Sequence, residues 1–159
     1  MLKIEKPTQN EFTGIRQVLS QWTFSREVRK YSERIRDEIA GRSKYNMQFW
    51  VAKENGRVIG IAGLGESLPK EMSYAQTEIP CSLKILYVHG DHQGKGIGTI
   101  LITFIEQQAK KQGYDEILVR SAERYRGSSY GFYEKRGYRL VGETGQDENK
   151  MAVFQKILG

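Results

Sequence analysis

The stretch Ile85-Leu86-Tyr87-Val88-His89-Gly90-Asp91-His92-Gln93-Gly94-Lys95-Gly96-Ile97-Gly98-Thr99 changes character twice. It begins as a short apolar run, which reads as a buried strand. It then spends three glycines in five residues, Gly94 to Gly98, and runs into Ile100-Leu101-Ile102-Thr103-Phe104-Ile105, an amphipathic helical pattern. Strand, glycine-rich turn and helix therefore follow one another. The glycines let the chain turn tightly and let a ligand approach bare amides. The first amides of a helix have no internal partner, and the helix dipole favours negative charge there. The stretch is a candidate phosphate cradle.

Two familiar phosphate loops fail in register. A dinucleotide turn needs Gly-x-Gly-x-x-Gly; counted from Gly94 the last position is Thr99, and from Gly96 it is Leu101. A Walker loop needs Gly-x-x-x-x-Gly-Lys-Ser/Thr, and from Gly90 the sixth position is Lys95.

The rest of the chain reads as one domain, residues 1–159, in the order β-α-α-β-β-β-α-β-α-β-β. Leu2 and Ile4 mark a first strand. Thr8 and Glu11 have capping-box spacing, and a helix follows over about 9–21. Ser25 is placed to cap a second helix with the stripe Val28, Tyr31, Ile35 and Ile39, closed by Gly41. Met47 to Lys53 and Arg57 to Gly65 flank Asn55-Gly56, a two-residue hairpin signal. Residues 66–76 read as a loop and Ile79 to Val88 as a longer strand. The third helix spans about Gly96 to Gln112, with Ile97, Ile100, Leu101, Phe104, Ile105 and Ala109 inward. A strand at 116–120, a short helix at 128–135 and two closing strands, 138–142 and 150–158, complete an α/β fold around a mixed, largely antiparallel sheet.

Composition narrows the function. A length of 159 residues with 38% apolar content supports a sizeable core. Lys and Arg number 25 against 19 acids, a net charge of +6, which fits a polyanionic partner. The basic residues are dispersed, which argues against a nucleic-acid tail. The single cysteine, Cys81, excludes an internal disulfide, and with two histidines at no ligand spacing there is no metal site. The N-terminus lacks a signal-peptide core and no run has membrane-spanning length. A soluble, cytoplasmic protein is expected.

Gln93-Gly94-Lys95-Gly96-Ile97-Gly98 resembles the pyrophosphate loop of the GCN5-related N-acetyltransferases, the GNAT family, whose pattern is Arg/Gln-x-x-Gly-x-Gly/Ala. Phe132-Tyr133-Glu134-Lys135-Arg136-Gly137-Tyr138 is similar to that family's second signature, Tyr-Glu-x-x-Gly-Phe. The two lie about 40 residues apart with a helix and a strand between, and the element order matches over essentially the whole chain. The resemblance implies a sheet of six to seven strands with about four helices, splayed at an acyl-CoA site. It implies acetyl transfer from acetyl-CoA, as cosubstrate and without a metal, to a primary amine.

Site residues follow by the same resemblance. Leu86, Tyr87 and Val88 would meet the pantetheine arm through their backbone, and the Val88 amide would polarise the thioester carbonyl. Gln93, Gly94, Lys95, Gly96, Ile97, Gly98 and Thr99 would hold the pyrophosphate. Tyr133 falls at the general-acid tyrosine. Where many members carry Asn, seven residues before it, this chain has Arg126, so that contact does not carry over; Ser129 stands where a small residue lies near the cofactor. For the general base the candidates are Glu78, then Glu66, then His89. The acceptor stays open between a small-molecule amine and a protein amine, with Trp22, Phe24, Arg29, Tyr31, Tyr45 and the 143–149 turn as candidate walls. A homodimer is compatible with the fold. The rival readings are an acyl-CoA-binding module without turnover and a basic nucleic-acid-binding protein.

Overall fold

A computed structural model describes residues 1–159, with the side chain of Glu148 left out of account. Contacts gather into two compact units, each drawn from two stretches of chain. One comprises Met1–Gly65 with Lys84–Ile105, the other Glu66–Leu83 with Glu106–Gly159.

In the first unit β1 (Leu2–Glu5) pairs antiparallel with β2 (Gln48–Glu54), which returns as β3 (Arg57–Glu66). The two-residue turn between them is built from positive φ at both Asn55 (53°) and Gly56 (76°), the backbone that matches the twist of a hairpin. Helices α1 (Phe12–Trp22) and α2 (Ser25–Ile39) pack on this sheet. Phe12, Ile15, Val18, Leu19 and Ile35 meet Phe49, Val51, Val58, Ile61 and Ile85 in one buried cluster. Each such side chain contributes about 1.5–3 kcal/mol by leaving water, which makes this cluster the main support of the unit. The Thr8–Glu11 capping box is present: Thr8 Oγ1 accepts from Asn10 N, and Glu11 accepts from Thr8 N at 2.8 Å.

In the second unit the start of β4 (Pro80–Val88) lies parallel to β5 (Glu116–Ala122). β5 pairs antiparallel with β7 (Met151–Ile157), and β7 with β6 (Arg139–Thr144). Among the described residues the sheet has seven strands in the order β1-β2-β3-β4-β5-β7-β6. The β4–β5 register runs from Pro80↔Glu116 to Leu83↔Val119, whereas β4 continues to Val88 and β5 to Ala122.

Five helices are described: α1, α2, α3 (Pro69–Met72), α4 (Ile97–Lys111) and α5 (Ser129–Lys135). Three local expectations need correction. The stretch 66–76 is not wholly loop, because Pro69 opens α3 and Glu71 accepts from Leu68 N at 2.9 Å. Ser25 is the first helical residue of α2, whose N-cap is Phe24 with no side-chain cap bond. Ile39 and Ile100, read as inward, are 40% and 45% exposed, while Ile102, left out of the stripe, is buried.

Candidate functional site

The first unit carries the glycine loop. β4 ends at Val88, and the next peptide is held at both of its ends. The Val88 carbonyl accepts from Trp22 Nε1 at 2.9 Å and from Gln93 Nε2 at 2.8 Å; His89 N donates to Ile59 O at 2.8 Å. A peptide plane fixed by three bonds cannot rock, so the strand end is a rigid platform. Trp22 was expected as a pocket wall, and its indole N–H proves to be one of the clamps. No sequence signal distinguishes that role.

Beyond Val88 the chain makes a 3₁₀ turn at Gly90–His92 and reaches Gly94 and Gly96, at φ 77° and 80°. A Cβ at either would meet nothing within 4 Å. The left-handed backbone is what demands glycine here, and the space beside it is open. The helical ladder of α4 starts with Ile100 N donating to Gly96 O at 3.1 Å, so the amides of Ile97 and Gly98 lie ahead of it. Gln93, Gly94, Lys95 and Gly96 are exposed, Gly98 and Thr99 half-buried, and Ile97 is buried as the anchor of the helix. The structure thus gathers the expected loop residues at one helix start, next to the clamped end of β4.

His89 is buried beside them. Its Nδ1 lies 3.1 Å from Asp91 N, and its Nε2 faces Gln21 Nε2 at 3.1 Å and Arg57 Nη2 at 3.3 Å. Arginine can only donate, so Nε2 is the ring's acceptor and is already taken, which leaves it unavailable for a substrate proton. That geometry favours packing over catalysis. Leu86 and Tyr87 are half-buried, and Tyr87 packs against the core cluster.

The second unit carries the tyrosine. Tyr133 sits on α5, 7% exposed, against Phe132, Tyr138 and Phe154 with ring centroids 5.3–5.6 Å apart. Among the described residues its side-chain contacts are ring contacts, and none is a hydrogen bond of its hydroxyl. Burial pushes this phenol well above its ordinary value, so it stays protonated through the neutral range. Ser129 is committed: its hydroxyl reaches Tyr125 O at 3.1 Å and Ser121 Oγ at 2.7 Å. Arg126 and Glu78 are exposed. Glu78 follows Thr77, which is bound through both its amide and its hydroxyl to the buried Glu116, so its backbone is fixed while its side chain stands in solvent. No group of three or more His, Cys, Asp or Glu among the described residues could hold a metal. No described helix is long and apolar enough to cross a membrane.

Comparison with known proteins agrees with this arrangement. A sequence profile described as the Acetyltransferase (GNAT) family matches residues 12–138, which takes in the glycine loop and the tyrosine helix. Human N-acetyltransferase 8B is 30% identical over 96 residues, covering 60% of this chain and 40% of that protein. This chain therefore spans well under two thirds of that relative's length. Two solved structures align over nearly the full length of both chains. An acetyltransferase of the GNAT family from Staphylococcus aureus Mu50 superposes with TM-score 0.75 at 16% identity, covering 100% of each chain. The PaiA N-acetyltransferase from Thermoplasma acidophilum, solved in complex with coenzyme A, gives 0.69 at 15% identity, covering 99% of each.

Proposed function

The chain belongs to the GNAT family of acetyltransferases, and from that premise we propose that it transfers an acetyl group from acetyl-CoA to a primary amine by direct attack. The observation that carries the reading is the loop itself: two left-handed glycines beside open space, at the start of a 15-residue helix, after a clamped strand end.

In this reading the pyrophosphate of acetyl-CoA rests on amides between Gly94 and Thr99, where the helix dipole and the absence of a Cβ favour it. Lys95, exposed on the loop, adds positive charge. The pantetheine arm runs along the backbone of Leu86, Tyr87 and Val88 as an added strand. The Val88 amide donates to the thioester oxygen, which gains charge as the amine adds to the carbonyl carbon. The clamp fixes the following peptide, through the Val88 carbonyl and the His89 amide, and so anchors the strand end next to that amide.

The C–S bond then breaks, the electron pair leaves on sulfur, and the Tyr133 hydroxyl supplies the proton. A phenol with its pKa raised by burial is a reservoir of that proton at any pH near neutrality. The attacking nitrogen loses its proton to a base, for which Glu78 is the candidate. Arg126, exposed on its turn, is the candidate to meet a phosphate or an acidic substrate group. The acceptor is a small-molecule amine in preference to a protein amine.

The test is release of free coenzyme A thiol from acetyl-CoA against a panel of amines. Turnover with at least one amine is expected. In Tyr133→Phe, kcat should fall by about 100-fold with acetyl-CoA affinity preserved. Because the phenol titrates above its ordinary value of 10.0, wild-type kcat should show no alkaline fall from this group below that pH. An unchanged kcat in Tyr133→Phe would remove the residue from the mechanism. Acetyl-CoA binding without turnover of any amine would leave a binding module.

A further inference from the structure

Helices α1 and α2 enclose a groove of about 560 Å³ on the first unit, lined by Arg16, Ser20, Thr23, Ser25, Val28, Arg29, Ser32 and Arg36. The lining is ordered by helical period. On α2, Ser25, Arg29, Ser32 and Arg36 recur every three to four residues, and Arg16 and Ser20 do the same on α1, with Thr23 just past its end. A stripe between two packed helices is ordinarily apolar. Here Val28 is its one apolar member.

Of the four acids of α2, Glu27 pairs with Arg26, Asp37 with Arg42 and Glu38 with Lys6, while Glu33, one turn from both Arg29 and Arg36, is exposed and outside the lining. Arg16, Arg29 and Arg36 have no carboxylate partner among the described residues. Arg16 and Arg36 approach one ring, that of Phe12, at 5.6 and 4.9 Å, so two guanidiniums are drawn to the same end of the groove. At the other end α2 begins, with Phe24 as an N-cap that supplies no side-chain oxygen and Ser25 in the lining. Orphan amides and the positive end of the dipole therefore add to Arg29 there. Arg29 and Arg36 are two turns apart, about 10 Å along the helix. The groove offers two cationic ends, hydroxyls between them, and no acid in its lining.

We infer that this groove is a binding site for a compact small molecule carrying at least two oxyanion groups, carboxylate or phosphate, and that it is separate from the glycine loop. Planar guanidiniums suit both oxyanions through paired N–H donors. Ser20, Thr23 and Ser25 supply hydroxyl donors between the charges. The inference stands apart from the acetyl-transfer reading, because binding here needs no turnover.

The experiment is calorimetric titration of the full chain with citrate and, in parallel, with inorganic pyrophosphate at low ionic strength. Saturable binding of at least one is expected. The double variant Arg29→Gln/Arg36→Gln should weaken it by about tenfold or more, while Arg26→Gln, which removes an arginine outside the groove, should change it less than about twofold. Saturating acetyl-CoA should leave the citrate affinity unchanged, and because it fills the glycine loop, pyrophosphate that still binds in its presence does so in the groove. An equal effect of Arg26→Gln would reduce the binding to bulk charge and overturn the site. So would displacement of citrate by acetyl-CoA, or the absence of saturable binding of either anion in the presence of acetyl-CoA. Thermal melting of each variant identifies any loss that comes from unfolding.

Discussion

Two connections flank β4, and they spend their polar groups in opposite ways. The one before it, residues 67–79, is tied inward. Glu116, fully buried at the start of β5, accepts from Gln76 N at 3.0 Å, from Thr77 N at 3.0 Å, from Thr77 Oγ1 at 2.8 Å, and from Gln155 Nε2. Glu71, 4% exposed, accepts from Leu68 N and from Ser82 Oγ at 2.6 Å, and pairs with Arg120 at 3.2 Å. Tyr74 donates to Glu143 O. The connection after β4 is tied only at its entry, by Gln21, Gln93 and the His89 turn. From Gly94 on it opens to solvent. Donors spent on buried carboxylates fix structure, and amides presented beside open space are left for the ligand proposed above. In the proposed reading the same chemistry, backbone N–H to anion, serves stability in one place and recognition in the other.

The contrast can be broken from either side. Glu116→Ala should have the largest effect, about 3 kcal/mol or more of stability, because four donors lose a buried acceptor at once. Urea unfolding measures it, and acetyl-CoA affinity below the transition should stay near wild type. Gly96→Ala attacks the other connection. Its Cβ meets no protein atom within 4 Å, so its stability cost is that of a left-handed alanine, about 1–2 kcal/mol. Gly41→Ala has a similar φ of 75° and the same open space, and should cost the same. The two separate in binding: Gly96→Ala should lower acetyl-CoA affinity about tenfold, Gly41→Ala not at all. Equal affinities would remove the loop from the cofactor site. The smallest change is expected from Trp22→Phe, which takes one of two donors from the Val88 carbonyl. A loss of about 1 kcal/mol in the transition state, a several-fold fall in kcat, should come with little change in KM for acetyl-CoA.

The legible parts of this chain are those whose causes are local. Asn55-Gly56 announces its turn because both φ angles must be positive. Thr8 and Glu11 announce their capping box by spacing, and the loop at Gln93 to Thr99 announces a helix start by its glycines. The order of the closing strands was not legible, because β7 inserts between β5 and β6 by pairings far apart in sequence. Glu116 read as the polar start of a strand. Its burial depends on Gln76 and Thr77, about 40 residues earlier, and on Gln155, 39 residues later. Ile39 and Ile100 misled for a related reason: period places a residue on a face, but how far the partner element reaches over that face is tertiary. In the candidate site the loop and Tyr133 were found by motif. The Trp22 and Gln93 clamp and the arginines of the α1–α2 groove appear only once helices and strand end are set side by side.

The central claim is that the amides from Gly94 to Thr99 hold the pyrophosphate of acetyl-CoA. Amide chemical shifts of the ¹⁵N-labelled chain, followed through a titration with acetyl-CoA, test it without needing the acceptor. The largest shifts are expected at Gly94 to Thr99, with Gln76 and Thr77, whose amides are already bound to Glu116, moving little. Saturable binding that leaves Gly94 to Thr99 unmoved would contradict the account.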